Sequence, residues 1–451
     1  MSVNPVDSEI FGPLWGTAQM RALFSDAARL QLMLDVEVAL ARAEARLGLV
    51  PPPVAEAITA AARVENVRIE RIAEGTRKAG VPVAALVSEL GRAAGEEAAR
   101  YVHLGATTQD ILDTATVLQM RSAFAHLRSD LMELARALAE RARNHRDTPM
   151  AGRTHLQQAV PISFGLKCAV WAAPLTLHVE RLDQAVRRAL VVQFGGAAGT
   201  LASLGSSGVA VAEALARELN LGIPDLPWHV MRDSMAEIVA LLALICGSLS
   251  KFALDVKLLM QTEVAEVFEP HEDGRGGSST MPQKRNPVAA EYVIAAARGV
   301  NASVAVMLAA MAQEHERSLG AWQSESLAVP QCFVLTSGAL AHALAIAKGM
   351  TVDTARMRAN LQLGSGLIMA EAVAAGLTPV MGRAAAHHAL QRIADRARSE
   401  GRALGNVLRD DAEVRNHLSD EQIDHLIDPA SYLGSAAAFV DRVVARIEKL
   451  K

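Results

Sequence analysis

Residues 108–143, TQDILDTATVLQMRSAFAHLRSDLMELARALAERAR, run without a proline or a glycine. Along them Val117, Met120, Phe124, Leu127, Leu131, Leu134 and Leu138 step alternately by three and four residues. That spacing is a heptad seam, which packs helices against one another at a shallow left-handed angle. At about 1.5 Å per residue the helix approaches ~54 Å. A helix of that length cannot bury its seam alone, so the fold is expected to be a bundle of long helices.

Working outward, residues 17–48 predict one amphipathic helix, stopped by the prolines at 51–53. Shorter helical segments run to about residue 97, and a polar loop, HLGATTQD at 103–110, precedes the long helix. On the other side, long helices are predicted at about 160–192, 230–265, 288–316 and 326–350, with the glycine-rich connection QFGGAAGTLASLGSSG at 193–208. The segment 235–260 is apolar on nearly every side, which predicts burial all round in a core shared between subunits. Beyond about 351 the segments shorten, punctuated by Gly364, Gly366, Gly376, Pro379 and Gly382. No alternating strand pattern stands out. The expected class is all-α, with an N-terminal helical domain (1–107), a central long-helix bundle (108–350) and a C-terminal helical domain (351–451).

The composition agrees. Half of the 451 residues are apolar (51%) and only 4% aromatic, so the core is built from small and straight side chains that suit helix-on-helix packing. The formal net charge of −4 lacks the basic excess expected of a nucleic-acid binder or a protein made for anionic membranes. Cys168, Cys246 and Cys332 lie far apart in apolar surroundings and are expected to be free, buried thiols. The start MSVNPVDSEIFG has neither a basic region nor an apolar run, which points to a cytoplasmic protein. Residues 238–250 are uncharged but shorter than the roughly 20 a bilayer needs. Residues 189–212 and 326–347 are long enough but broken by Gly, Ser, Pro and His, so no membrane span is expected.

Three polar segments interrupt this helical chain: 103–110, MAGRTHLQQ at 150–158, and EPHEDGRGGSSTMPQKRNP at 269–287. The third offers a mobile glycine backbone, the hydroxyls of Ser278 and Ser279, the cations Lys284 and Arg285, and the Asn286 amide. Such a loop can fold over an anionic ligand and exclude water. His271, His315 and the pair His387–His388 have no metal spacing, and phosphate-cradling or serine-hydrolase motifs are missing, so no metal and no cofactor is expected.

The string GSSTMPQKRNP, Gly277 to Pro287, resembles the signature GSSxMPxKxNP of the fumarase/aspartase superfamily at every fixed position. The other polar segments resemble that superfamily's other two active-site regions, in order. Within it, several stretches are similar to the carboxymuconate cycloisomerases: 20–51, RYVHLGATTQD (100–110), QFGGAAGTLASLG (193–205), PWHVMRD (227–233) and QEHERSLGAW (313–322). Adenylosuccinate lyases share the plan but usually carry an Arg-Tyr pair near the N-terminus, and this chain starts without one.

The resemblance implies a fumarase/aspartase-type helix bundle and a homotetramer in which each active site is built by three subunits. It implies a small polycarboxylate substrate, and no nucleic acid or membrane partner. The expected reaction closes 3-carboxy-cis,cis-muconate to its γ-lactone: one carboxylate adds to an alkene carbon and the neighbouring carbon is protonated. Ser278 is the implied proton donor, with its alkoxide stabilised by Lys284 and the glycine backbone. Thr107, Thr108, Gln109, Gln157, Ser279, Asn286 and Arg317 are expected to bind substrate, and His103 to assist.

His155 is a departure, because several bacterial carboxymuconate cycloisomerases have tryptophan there. In the reverse of lactonisation the leaving group is a carboxylate, whose conjugate acid has a pKa of about 4, so it leaves without help from an acid. His155 is therefore either catalytic or a binding residue. Its presence keeps two alternatives open: an adenylosuccinate-lyase-type β-elimination, and cycloisomerisation of a sulfonated muconate.

Overall fold

The structure is a computed structural model that describes residues 4–271, 276–277, 280–281 and 283–450. Its long helices are α1 (Asp26–Arg46), α2 (Thr108–Asn144), α3 (Phe164–Ala189), α4 (Asp233–Leu259), α5 (Val288–Ala310) and α6 (Ala321–Gly349). The seven seam residues of α2 are all buried, none more than 3% exposed. The heptad pattern therefore decided both the helix and its inward face.

The chain forms two compact units. The first comprises Met1–Asp130, His178–Gly247 and Ala295–Ala341. Its core joins α1 to the short helices that follow, through Leu34, Ile58, Leu86 and Leu90, each 0% exposed. A second cluster, with Leu40, Val192, Phe194, Val211 and Leu215, seats α1 against the helix Gly208–Leu219. The second unit comprises Leu131–Leu177, Ser248–Ile294 and His342–Lys451. Here Phe164, Trp171 and Phe252 form an aromatic row at centroid spacings of 6.0 and 5.0 Å. Val373, Leu377, Ile393, Val407, Val414 and Ile423 fill the core of the C-terminal helices.

Four expectations change. The helix predicted over 17–48 is two helices, Ala18–Leu23 and α1, because Ser25 adopts extended backbone and accepts the Ala28 N–H to open the second. The prolines at 51–53 also begin a helix, Pro52–Ala61, since the first turn has no partner for its N–H groups and tolerates proline. Strands exist where none stood out: β1 (Pro149–Thr154) and β2 (Gln157–Ser163) pair antiparallel, and they take the residues expected to open α3. Finally α4, α5 and α6 are, by length and composition, long and apolar enough to cross a membrane. The uncharged windows in the sequence were shorter than the helices that contain them.

The three thiols are free and buried. Burial pushes Cys246 up to about 12 and Cys332 up to about 11, and it raises Cys168 as well.

Candidate active site

In the first unit α2 begins at Thr108, directly after the polar loop. The fully buried Asp110 organises this start. Its Oδ2 accepts the Thr107 N–H at 3.0 Å and the Gly196 N–H at 2.9 Å. Its Oδ1 accepts the Gly195 N–H at 3.0 Å and the Gln193 side-chain amide at 3.2 Å, and lies 2.7 Å from His229 Nε2. A buried carboxylate needs such partners, because an unpaired one is very costly away from water. Gly196 has φ +67° and its added Cβ would sit 3.0 Å from the Gly105 carbonyl, so only glycine lets the two loops close.

One turn further along α2, Asp113 meets the buried Arg232. The guanidinium donates to Asp113 at 2.7 and 3.1 Å and to Glu325 at 2.9 and 2.5 Å, and it lies over the Trp228 ring at 4.7 Å. Burial alone would lower the Arg232 pKa; the two carboxylates outweigh it and raise it. Glu325 is raised by burial in spite of Arg232. Trp322 Nε1 also donates to Asp113, at 2.9 Å.

On this base sits Arg317. It donates to Gln109 Oε1 at 3.0 Å and to the carbonyls of Gly196 and Ala197 at 3.3 and 2.8 Å. All three acceptors are neutral. The guanidinium is thus held in place while its charge is left for a ligand carboxylate, for which its planar donor pair is well suited. Gln109 is only 1% exposed, and its amide nitrogen donates to Asp113 at 3.1 Å and to the His229 carbonyl at 2.8 Å. Its side chain is therefore engaged by Arg317, Asp113 and the His229 carbonyl.

His103, at φ +65°, faces Glu37 Oε1 at 2.7 Å. Burial lowers its pKa, but the hydrogen bond and charge of Glu37, with Asp110, raise it overall.

In the second unit, Thr154 pairs with Gln157, which leaves His155 and Leu156 as a two-residue hairpin turn. Both have positive φ, +50° and +62°, the signature of a type I′ turn usually made by Asn and Gly. Bulky residues reach this region only under strain, and strain that persists marks a position held for another purpose. His155 and Gln157 are exposed, and Leu156 is 79% exposed. Below the turn Arg153 pairs with the fully buried Glu266 at 2.9 and 2.7 Å. Asn360 donates to the same carboxylate at 2.8 Å, and its carbonyl receives Gln158 at 2.8 Å.

The signature loop lies in this unit too. Gly277 bridges antiparallel to Arg285, and the Asn286 N–H donates to the Gly276 carbonyl at 2.8 Å, so the base of the loop is closed. Arg285 donates to the Glu269 carbonyl at 2.9 Å and covers the Phe268 ring at 5.3 Å. The Glu269 carboxylate accepts the Ala289 and Ala290 N–H groups at 3.0 and 2.7 Å, capping α5. Lys284 is exposed and Asn286 half-buried. Ser278 and Ser279, the expected proton donor and its neighbour, lie outside the described residues.

Comparison with known proteins places the chain in a family. The model of the family described as Lyase matches residues 16–301, and that of the adenylosuccinate lyase C-terminus matches residues 366–443. A 3-carboxy-cis,cis-muconate cycloisomerase of Pseudomonas aeruginosa is 50% identical over 97% of this chain and 96% of its own. The crystal structure of the 3-carboxy-cis,cis-muconate lactonizing enzyme of Pseudomonas putida is 48% identical, with a TM-score of 0.94 over 98% of this chain and 99% of its own.

The chain belongs to the fumarase/aspartase superfamily.

A nitrosuccinate lyase of Streptomyces davaonensis, 44% identical over 97% of this chain and 95% of its own, shows that close relatives differ in the reaction they run. Of the superfamily residues expected here, Thr107, Thr108, Gln109 and Arg317 come together in the first unit. His155 with Gln157, and Lys284 with Asn286, occupy two segments of the second. Sequence reasoning missed the supporting polar residues Asp113, Gln193, His229, Arg232 and Glu325. A signal was present: four of the stretches similar to the carboxymuconate cycloisomerases, 100–110, 193–205, 227–233 and 313–322, supply nearly all of this network. In the second unit Arg153 and Glu266 were missed as well.

Proposed function

We propose that this chain converts 3-carboxy-cis,cis-muconate to its γ-lactone. What carries the reading is likeness to carboxymuconate cycloisomerases along almost the whole chain. The chemistry fits. The substrate has three carboxylates; one becomes the lactone oxygen and carbonyl as its oxygen adds to an alkene carbon. The neighbouring carbon takes up one proton, so the product carries one negative charge fewer. The barrier lies in negative charge gathering on the carboxylate beside that carbon, and fixed cations and N–H donors aimed there lower it.

In this reading Ser278 delivers the proton, Lys284 stabilises its alkoxide, and Arg317, Asn286, Thr107, Thr108, Gln157 and Ser279 hold carboxylates. Gln109 and His103 act from behind, through Arg317 and the loop. The chain acts as a homotetramer with three subunits contributing to each site. Supporting this are apolar side chains left exposed on the long helices: Leu244 (54%) and Leu254 (41%) on α4, Val306 (44%) and Leu308 (56%) on α5, and Leu327 (76%) on α6. Contact with further copies would cover them without a bilayer. A cytoplasmic location and the three-domain division at residues 107 and 350 belong to the same reading.

A second reading, β-elimination, is favoured by the exposed His155 imidazole, which can serve a leaving group that needs a proton. The test is an ultraviolet assay of diene loss with carboxymuconate, muconate and a sulfonated muconate, beside nitrosuccinate and adenylosuccinate. Carboxymuconate turnover at a kcat/KM at least about a hundredfold above the others is expected. Turnover of nitrosuccinate or adenylosuccinate alone would replace the proposal with the second reading.

A further inference from the structure

The first unit holds a cavity of about 490 Å³ that is distinct from the loops around Arg317. It lies between the start of α1, the helix Ile69–Ala79, and the first turns of α6. Leu30, Met33, Ile72 and Val329 give it apolar walls, and the Trp322 ring forms part of its lining. Interiors of proteins are packed nearly as densely as organic crystals, and ligand pockets commonly measure a few hundred Å³. A space of this size is a place for a molecule.

Its polar lining is asymmetric. Arg29 reaches the cavity from the first turn of α1, and its Nε is buried with no hydrogen-bond partner among the described residues. A buried guanidinium nitrogen without an acceptor is unfavourable, and an entering anion would relieve it. On the α2 and α6 walls Asp113 and Glu325 share the single guanidinium of Arg232, so this part carries excess negative charge. A ligand with a second or third carboxylate would be repelled there. Asp26 adds another acidic group at the rim.

We propose that this cavity binds an aromatic monocarboxylate, its carboxylate on Arg29 and its ring against Leu30, Met33, Ile72 and Trp322. One cation with an unsatisfied Nε, its charge otherwise met by Asp26, together with apolar walls and an acidic far side, selects that class and rejects the polycarboxylates the active site takes. The site is independent of the reaction assigned above. Because Asp113 and Glu325 also support the network under Arg317, an occupant sits one residue layer from that network.

The test is calorimetric titration of the full chain with benzoate, followed in parallel by tryptophan fluorescence, with citrate as the tricarboxylate control. Saturable benzoate binding with a Kd below about 1 mM is expected, with no competition from citrate. Arg29→Met should weaken it at least about tenfold, and Arg29→Lys less. Ala73→Phe, on the exposed side of the lining, should block it sterically with Arg29 intact. Circular dichroism of each variant should match the parent, and turnover should stay within about twofold. No saturable heat, equal affinity in Arg29→Met, or binding lost on Arg317→Ala and displaced by citrate would each overturn the proposal.

Discussion

Arg317 donates to the side-chain carbonyl of Gln109 at 3.0 Å, and Gln109 passes the contact on to Asp113 at 3.1 Å. One buried amide thereby links Arg317 to the Arg232 network. Gln109→Leu removes one of the three acceptors that hold Arg317 and leaves it on the Gly196 and Ala197 carbonyls alone. The expected result is a KM raised on the order of tenfold, about 1.4 kcal/mol, with a smaller change in kcat. Gln109→Glu keeps an acceptor for Arg317 but places a negative charge beside it and sets an oxygen against Asp113 and the His229 carbonyl, which the amide nitrogen serves in the parent, so it should raise KM further. Steady-state kinetics on both variants distinguish positioning from charge.

His155 sits at φ +50° in a turn that favours asparagine. His155→Asn should relieve strain and stabilise the chain by about 0.5–1 kcal/mol, read from urea unfolding. For lactonisation, whose reverse releases a carboxylate, His155→Asn should keep activity within about tenfold of the parent. A loss beyond about a thousandfold would assign the imidazole to proton transfer and favour the elimination reading.

Glu266 is fully buried, and Arg153 is its ion-pair partner. Among the described residues, Arg153→Met leaves that carboxylate with Asn360 as its remaining side-chain donor. A destabilisation of about 3 kcal/mol is expected, since removing one member of a buried pair strands the other. Glu266→Gln, which keeps a hydrogen-bonding partner, should cost less. Denaturant midpoints of the two variants compare them, and equal costs would place the burden on shape instead of charge.

Glu44 is 0% exposed, and both its carboxylate oxygens lack a partner among the described residues. Burial, with Glu37 nearby, pushes its pKa up to about 9. The native chain therefore keeps this proton while the unfolded chain loses it near 4.5. Glu44's contribution is fully present below that value and is lost as pH rises towards 9. Glu44→Gln cannot ionise. It should match the parent near pH 4.5 and exceed its stability by on the order of 4 kcal/mol at pH 8. An unfolding series across pH reads this directly, and a variant effect independent of pH would contradict it.

The α2 seam was legible because burial of a long helix writes itself into the sequence every three or four residues. The hairpin was not. Its Gly152 lies at an irregularity in the β1–β2 register and its turn is His-Leu, so neither strand alternation nor turn residues signalled it. The signature loop announced itself through fixed residue types, but Asp113, Arg232 and Glu325 did not. Each looks like an ordinary helix charge, and only the fold brings the three together from α2, the start of α4 and α6. Gln109 shows the same limit: the sequence marked it as a candidate site residue, but its burial and its contacts with Arg317 and Asp113 come only from the fold.

The most direct measurement follows carboxymuconate and the purified chain in D2O, with diene absorbance and NMR of the product. The account predicts loss of the diene with formation of one γ-lactone per substrate, carrying a single deuterium on the carbon beside the new C–O bond. It also predicts that Ser278→Ala reduces the rate at least about a thousandfold. Persistence of the diene while nitrosuccinate or adenylosuccinate is consumed, or full activity in Ser278→Ala, would contradict it.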